Sequence, residues 1–200
     1  MLLLELFSGT GSVGKVFKAY SWRVVSVDIR PAHADCTHVC DVMEISAKRV
    51  MEVHGRPDVI WAGPPCTQHS VARTTAKRPR DLIGADRLVR KALELIAELQ
   101  PKCWFLENPY TGLLKSRPLM QGLPLTVVDY CRYGCRYKKR TAIWTNCPFP
   151  GLLCRKDERC GHWDGRHPEK AQRQGHTLNQ LNAIPAGLCE TVYQAAVSVV

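Results

Sequence analysis

Apolar positions fall into two patterns along the chain. Short continuous runs read as strands buried on both faces: Leu2 to Phe7, Arg23-Val-Val-Ser-Val27, Val59 to Ala62, Cys103-Trp-Phe-Leu106, Thr126-Val-Val-Asp-Tyr130 and Arg140-Thr-Ala-Ile-Trp144, with a shorter stretch at Cys40-Asp-Val-Met43. Elsewhere the apolar residues recur at intervals of three and four. Leu88, Val89, Ala92, Leu95, Ile96 and Leu99 predict a helix over Ala85 to Leu99, and Leu188, Val192, Ala195, Ala196 and Val199 predict one over Ala186 to Val199. A further helix, Val13 to Tyr20, follows Gly9, Gly11 and Gly14. Strands alternating with helices predict an α/β domain with a mixed sheet covered on both faces. The last two strands are joined only by the basic turn Arg136-Tyr-Lys-Lys-Arg140, too short for a parallel crossover, so that pair is expected to be antiparallel.

Length and composition narrow this picture. Two hundred residues suit one domain with a small appendage. Lys plus Arg number 28 against 18 Asp plus Glu, and a net charge of +10 favours a polyanionic partner through counterion release. The apolar start Met1 to Leu4 is broken by Glu5 and has no basic region before it, so no secretory signal is expected. No run approaches the roughly 18 apolar residues of a membrane span. The chain is therefore expected inside the cell, nuclear or nucleoid-associated, as a monomer by default. Its ten cysteines are expected as thiols, metal ligands or a nucleophile rather than disulfides.

Four stretches carry candidate chemistry. Ala62-Gly-Pro-Pro-Cys66-Thr-Gln-His-Ser70 follows a strand, and two prolines before Cys66 stiffen the backbone that presents the thiol. The strand–glycine turn–helix at Phe7 to Gly14 is a nucleotide-type cradle, although its spacing is not that of a P-loop, and Asp28 at the tip of the second strand suits ribose hydroxyls. Arg73-Thr-Thr-Ala-Lys77-Arg78-Pro-Arg80 suits a loop over a phosphate backbone, or simply a solvated loop. Between Asn146 and Gly175, Cys147, Cys154, Cys160 and His167 suffice for a tetrahedral Zn2+ site, with His167 preferred over His162 because Cys160-Gly-His162 is a very tight turn. Reduced thiols in an irregular loop are the alternative.

In order along the chain, Leu4-Glu-Leu-Phe-Ser-Gly-Thr-Gly-Ser-Val-Gly14, Gly63-Pro-Pro-Cys66, Glu107-Asn108, Lys138-Lys-Arg140 and Leu181-Asn-Ala-Ile-Pro185 resemble motifs of the cytosine-C5 methyltransferase family. The resemblance implies a class I methyltransferase, Rossmann-like sheet over residues 1–200, with 146–175 as a minimal target-recognition insertion. It implies Cys66 as nucleophile at cytosine C6, Glu107 as acid at N3, and Arg140 as the group that holds O2, orients Glu107 and favours the thiolate. It implies S-adenosylmethionine in a pocket of Phe7, Ser8, Gly9, Gly11, Asp28, Ile29, Asp41, Pro64 and Asn182, and duplex DNA held by Ser70, Arg73, Lys77, Arg78, Arg80 and Lys138. Two positions depart from the family: Pro109 stands where valine is usual, and Thr67 where glutamine is usual. A transfer-RNA cytosine methyltransferase of the same fold and a catalytically silent nucleic-acid-binding relative are the alternatives.

Overall fold

The computed structural model describes residues 1–71, 73, 76–169 and 176–200. Positions 74 and 75 of the basic stretch and 170–175 of the Cys/His-rich segment lie outside the described residues. The apolar runs form strands β1 (Leu2–Leu6), β2 (Arg23–Asp28), β3 (His38–Val39), β4 (Val59–Ala62), β5 (Cys103–Pro109), β6 (Leu125–Asp129) and β7 (Arg140–Thr145). Among the described residues they make one sheet in the order β3-β2-β1-β4-β5-β7-β6. The first five strands run parallel, and β7 inserts antiparallel to both β5 and β6. This is the Rossmann-like mixed sheet that the sequence pattern predicts.

Successive side chains of a strand point to opposite faces, and both faces here are covered. Leu4, Leu6, Ile60, Leu106 and Trp144 pack against α2 (Ala47–His54) and α3 (Leu82–Leu99), while Leu3, Trp61, Phe105 and Ile143 pack against α1 (Ser12–Ala19) and α5 (Ala186–Val197). Each large apolar side chain so buried contributes about 1.5–3 kcal/mol. A short helix, α4 (Leu178–Asn182), precedes α5.

Local chemistry moves several predicted boundaries. Asp81 accepts the Gly84 N–H at 2.7 Å and starts α3 at Leu82, ahead of its first buried residue, Ala85. The third apolar stretch is not a strand at Asp41: β3 lies just before it, and Asp41 caps a single 3-10 turn, Val42–Glu44. The final helix stops at Val197, leaving Val199 39% exposed rather than inward. Helix α2, with only Ala47 and Val50 buried, spans eight residues, too short for the repeat of threes and fours to stand out.

Candidate active site

The strand order reverses between β1 and β4, so the loops after these strands border a crevice at the C-terminal edge of the sheet. Gly63 N–H still donates to Leu6 O at 3.2 Å, and the chain then turns through the two prolines to Cys66. Asn108, at the end of β5, donates from Nδ2 to Pro64 O at 2.9 Å and ties this loop to the neighbouring strand. Ser70 N–H donates to Cys66 O at 2.8 Å, which closes a turn around the cysteine. The guanidinium of Arg80 donates to the carbonyls of Gln68 and Ser70 at 2.8 and 2.7 Å, so this exposed side chain braces the loop from its outer surface.

His69 anchors the other side of that turn. Its ring is fully buried with Nε2 3.0 Å from Asp86 Oδ1, and Arg117 donates to Asp86 Oδ2 from Nε and Nη2 at 2.9 and 2.6 Å. Burial pushes the Asp86 carboxyl up, but the hydrogen bonds from Arg117 and His69 outweigh it and hold the group below its ordinary value. His69 thus belongs to the frame that presents Cys66, a role that its sequence position does not disclose.

Cys66 and Glu107 are brought together electrostatically. Burial pushes the Cys66 thiol up, the Glu107 carboxylate adds to the rise, and Lys139 opposes it. Glu107 is 7% exposed, and Tyr130 Oη donates to its Oε1 at 3.1 Å. Lys139 holds its ammonium 4.7 Å above the Tyr130 ring and donates to Leu181 O at 3.4 Å. Asn108 Oδ1, on the same strand end, is buried with no partner among the described residues.

Arg140 occupies a different position from the one expected. Its Nε and Nη2 donate to Asp129 Oδ1 and Oδ2 at 3.0 and 2.9 Å, a two-pronged clamp between residues paired in the β6–β7 register. Alternation along β7 explains this. Arg140 shares the face of Ala142 and Trp144, whereas Glu107 lies opposite Ile143, whose side chain packs on the other face of the sheet. The cation facing Cys66 is Lys139, and the group orienting Glu107 is Tyr130. Sequence reasoning passed over both, although the period-two count along β7 separates Lys139 from Arg140.

Phe7, Ser8, Gly9, Gly11, Asp28 and Ile29 lie at the glycine turn and the tip of β2. Phe7, Gly9 and Gly11 adopt left-handed backbone with φ of 56°, 52° and 66°. Asp28 accepts Gly9 N–H at 2.8 Å through Oδ2 and Arg30 N–H at 2.6 Å through Oδ1. Ser8 Oγ lies 3.1 Å from His33 Nε2, and a Cβ at Gly11 would come within 3.1 Å of the same ring, so His33 roofs the turn. Ile29 is 62% exposed at the rim. A pocket of about 440 Å³ opens between the turn after β3, the Cys66 loop and the start of α3, lined by Asp41, Met43, Pro65, Thr67, Gln68 and Leu88 among others. Pro65, rather than the buried Pro64, faces this space. Asn182 is exposed at the last residue of α4.

Of the basic candidates, Lys77 and Arg78 are exposed and Arg73 is half-buried, near Ser70 in the chain. Lys138 turns inward instead, donating to Cys154 O at 2.8 Å with its ammonium 3.4 Å from Asp129 Oδ2. The metal-ligand expectation needs one correction. Cys147 is disulfide-bonded to Cys103, because the β5–β7 register that pairs Phe105 with Thr145 sets these two directly across from one another, with Cα atoms 5.8 Å apart. That bond also overturns the expectation of thiols throughout. Cys131, on the 3-10 turn after β6, takes the vacated place: its sulfur, those of Cys154 and Cys160, and a ring nitrogen of His167 all lie within 4.8 Å of one another.

Comparison with known proteins agrees with this architecture. Residues 1–118 match the C-5 cytosine-specific DNA methylase family. A probable DNA (cytosine-5)-methyltransferase of Frog virus 3 is 35% identical over 192 residues, covering 89% of this chain and 85% of the viral protein. The type II methyltransferase M.AplI of Arthrospira platensis is 28% identical over 125 residues, 60% of this chain and 35% of that protein. Among solved structures, a putative DNA modification methyltransferase from an E. coli prophage superposes with a TM-score of 0.55 at 21% identity, over 72% of this chain and 46% of that one. The S. pombe Dnmt2 methyltransferase gives 0.51 at 14%, over 76% and 51%, so the chain spans about half the length of these two structures, and they bear on the fold alone. No helix of the described residues is long and apolar enough to cross a membrane. With the family match running through the glycine turn, the cysteine loop and the five parallel strands, and the viral relative matched along most of both chains, the chain belongs to the C-5 cytosine-specific DNA methylase family.

Proposed function

We propose that the protein methylates C5 of cytosine in DNA, with Cys66 as nucleophile and Glu107 as the acid at N3. The observation that carries this reading is the pairing of the two groups: Asn108 locks the Cys66 loop to the end of β5, and the charge of Glu107 is felt at the thiol. S-adenosylmethionine, when bound, supplies an electrophilic methyl group on a positively charged sulfur. The chain offers it a fitting site: the left-handed glycine turn, the remaining lone pairs of Asp28 for ribose hydroxyls, and the pocket at Asp41 and Pro65, whose volume suits a nucleoside. Phe7, Ser8 and Ile29 border the same turn, and Asn182 is assigned to its far side by the family pattern alone.

In the chemistry, Cys66 adds through sulfur to C6 of the ring while Glu107 gives a proton to N3, leaving an enamine whose C5 is nucleophilic. Protonated Glu107 carries no charge, so the carboxylate that holds the thiol up in the free protein no longer opposes the thiolate when the base is engaged. Tyr130 keeps Glu107 aimed, and Lys139 stabilises negative charge on the sulfur. Once C5 is methylated, loss of its proton breaks the C6–S bond and returns Cys66. Arg140, clamped to Asp129 on the face away from Glu107, acts as a positioning residue at the end of β7 rather than on the O2 edge of the base. The base must leave the duplex at a cost of a few kcal/mol, which contacts from Ser70, Arg73, Lys77 and Arg78 to phosphates offset. Residues 146–175 act as a reduced target-recognition segment within the single catalytic domain.

DNA is chosen over RNA because the relative matched along most of its length is named a DNA methyltransferase. The test is incubation of the purified protein with methyl-labelled S-adenosylmethionine and duplex DNA, single-stranded DNA or transfer RNA. Label in duplex DNA, recovered as 5-methylcytosine and absent with Cys66→Ser, is expected. Label confined to transfer RNA would overturn the substrate, and label in none of them from cofactor-bound protein would overturn the activity.

A further inference from the structure

We infer that Cys131, Cys154, Cys160 and His167 bind one Zn2+ and that this site fixes the Asp129–Arg140 clamp at the edge of the catalytic crevice. The four ligands come from separate places: the turn after β6, the chain beyond β7, and two points of the irregular segment that follows. With Zn–S near 2.3 Å and Zn–N near 2.0 Å, a tetrahedral site separates sulfur from nitrogen by about 3.5 Å and sulfur from sulfur by about 3.8 Å. His167 Nε2 stands 3.4 Å from Cys160 Sγ and 3.7 Å from Cys154 Sγ, and all four donor atoms fall within 4.8 Å. The two histidine–sulfur distances already match those of a coordinated ion, and the remaining donors stand close enough to close on one. Three thiolates and an imidazole select Zn2+ over the oxygen-seeking Ca2+ and Mg2+.

The surroundings give the segment a need for such an ion. Between Asn146 and Glu169 the described residues form no helix and no strand beyond isolated bridges. The three sulfurs form their own small buried cluster, with Trp163 packed against them. The Trp163 ring meets the His167 ring edge-on at 5.0 Å, and Arg159 lies 3.9 Å above Trp163. So small an apolar group cannot order the segment by itself, whereas a structural zinc site contributes folding energy outright. The cationic Lys138 and Arg140 beside it suit a site of three thiolates, which carries one net negative charge when filled.

The link to the crevice runs through Asp129. Cys154 N–H donates to Asp129 Oδ2 at 3.0 Å, Lys138 bridges Cys154 O and that same oxygen, and Asp129 grips Arg140. Cys131 is the neighbour of Tyr130, which donates to Glu107. Two of the ligands therefore sit one or two residues, or one hydrogen bond, from groups that position the pocket. The effect on methyl transfer rests on the function proposed above; the metal site does not.

The test begins with elemental analysis of the purified full chain, where about one zinc per chain is expected. Exchange into Co2+ is expected to give thiolate-to-metal charge-transfer absorption. Cys160→Ser and His167→Ala are expected to lose at least nine-tenths of the metal, while His167→Cys and the neighbouring His162→Ala retain it. Hydrogen exchange before and after chelation then separates ordering from bystander binding: amides of 129–133 and 152–160 are expected to lose at least tenfold in protection, with β1 to β4 unchanged. Protein that contains no zinc and takes up neither Zn2+ nor Co2+ after thiol reduction overturns the site. Metal loss that leaves exchange at 129–133 unchanged overturns the positioning role. Zinc-loaded protein that methylates nothing leaves the site standing and counts against the proposed activity alone.

Discussion

Glu5 offers a test of the fold beneath the glycine turn. This carboxyl is 2% exposed on β1, accepts the Gly14 N–H at 3.0 Å through Oε1, and fills the space in which a Cβ on Gly14 would lie 2.4 Å from Oε2. Burial raises its pKa from 4.5 to about 7, with the Gly14 amide, Lys18 and the Val13 amide opposing only in part. Between these values the native state binds more protons than the unfolded chain, so stability falls as the pH climbs through the window. The size of the shift corresponds to roughly 3 kcal/mol. Glu5→Gln preserves shape and the acceptor for Gly14 but carries no charge at any pH. Urea unfolding of both proteins at a series of pH values should show the variant gaining on the wild type by about 2–3 kcal/mol across the window. The gain should level off once the native carboxyl is ionised. Stability curves that stay parallel, or a variant that loses ground as the pH rises, would mean that Glu5 is not held protonated by burial.

Three further outcomes follow from the site. Glu107→Gln removes the negative charge that holds the Cys66 thiol up, so alkylation of Cys66 near neutral pH should accelerate while methyl transfer drops by about 100-fold or more; slower alkylation, followed on the Cys66 peptide by mass spectrometry, contradicts the coupling. Tyr130→Phe leaves Glu107 buried without its donor and should lower stability by about 1–3 kcal/mol in thermal or chemical unfolding, with methylation reduced. Gly11→Ala meets both a φ of 66° and the His33 ring at 3.1 Å, so calorimetry should record at least tenfold weaker S-adenosylmethionine binding, and unchanged affinity would remove the glycine turn from the pocket.

The layered sheet was legible in the sequence because its strands are apolar throughout and punctuated by glycine and proline. The antiparallel finish followed from the length of one turn. Side-chain direction was harder to read. Lys138, Lys139 and Arg140 are three adjacent cations, and only the pairing of Arg140 with Asp129 and of Glu107 with Ile143 shows that Lys139, not Arg140, shares Cys66's surroundings. The cysteines divide for the same reason. Cys147 lies within the Cys-rich stretch but belongs to the sheet through Cys103, whereas Cys131 lies outside the stretch and is carried to it by the turn after β6. Spacing along a chain does not encode cross-strand register. His69 and Tyr130 carried no local signal either, since a buried histidine and a strand-end tyrosine look alike whether they pack or position.

Covalent trapping reports on the Cys66–C6 bond itself. Duplex DNA bearing 5-fluorocytosine at a site the enzyme methylates cannot lose a proton from C5, so the C6–S bond persists after methyl transfer. Wild-type protein with S-adenosylmethionine should form a denaturant-stable complex with that duplex, linked through the Cys66 peptide, and Cys66→Ser should form none. A complex that survives in Cys66→Ser, or one linked through a different residue, would show that Cys66 is not the nucleophile.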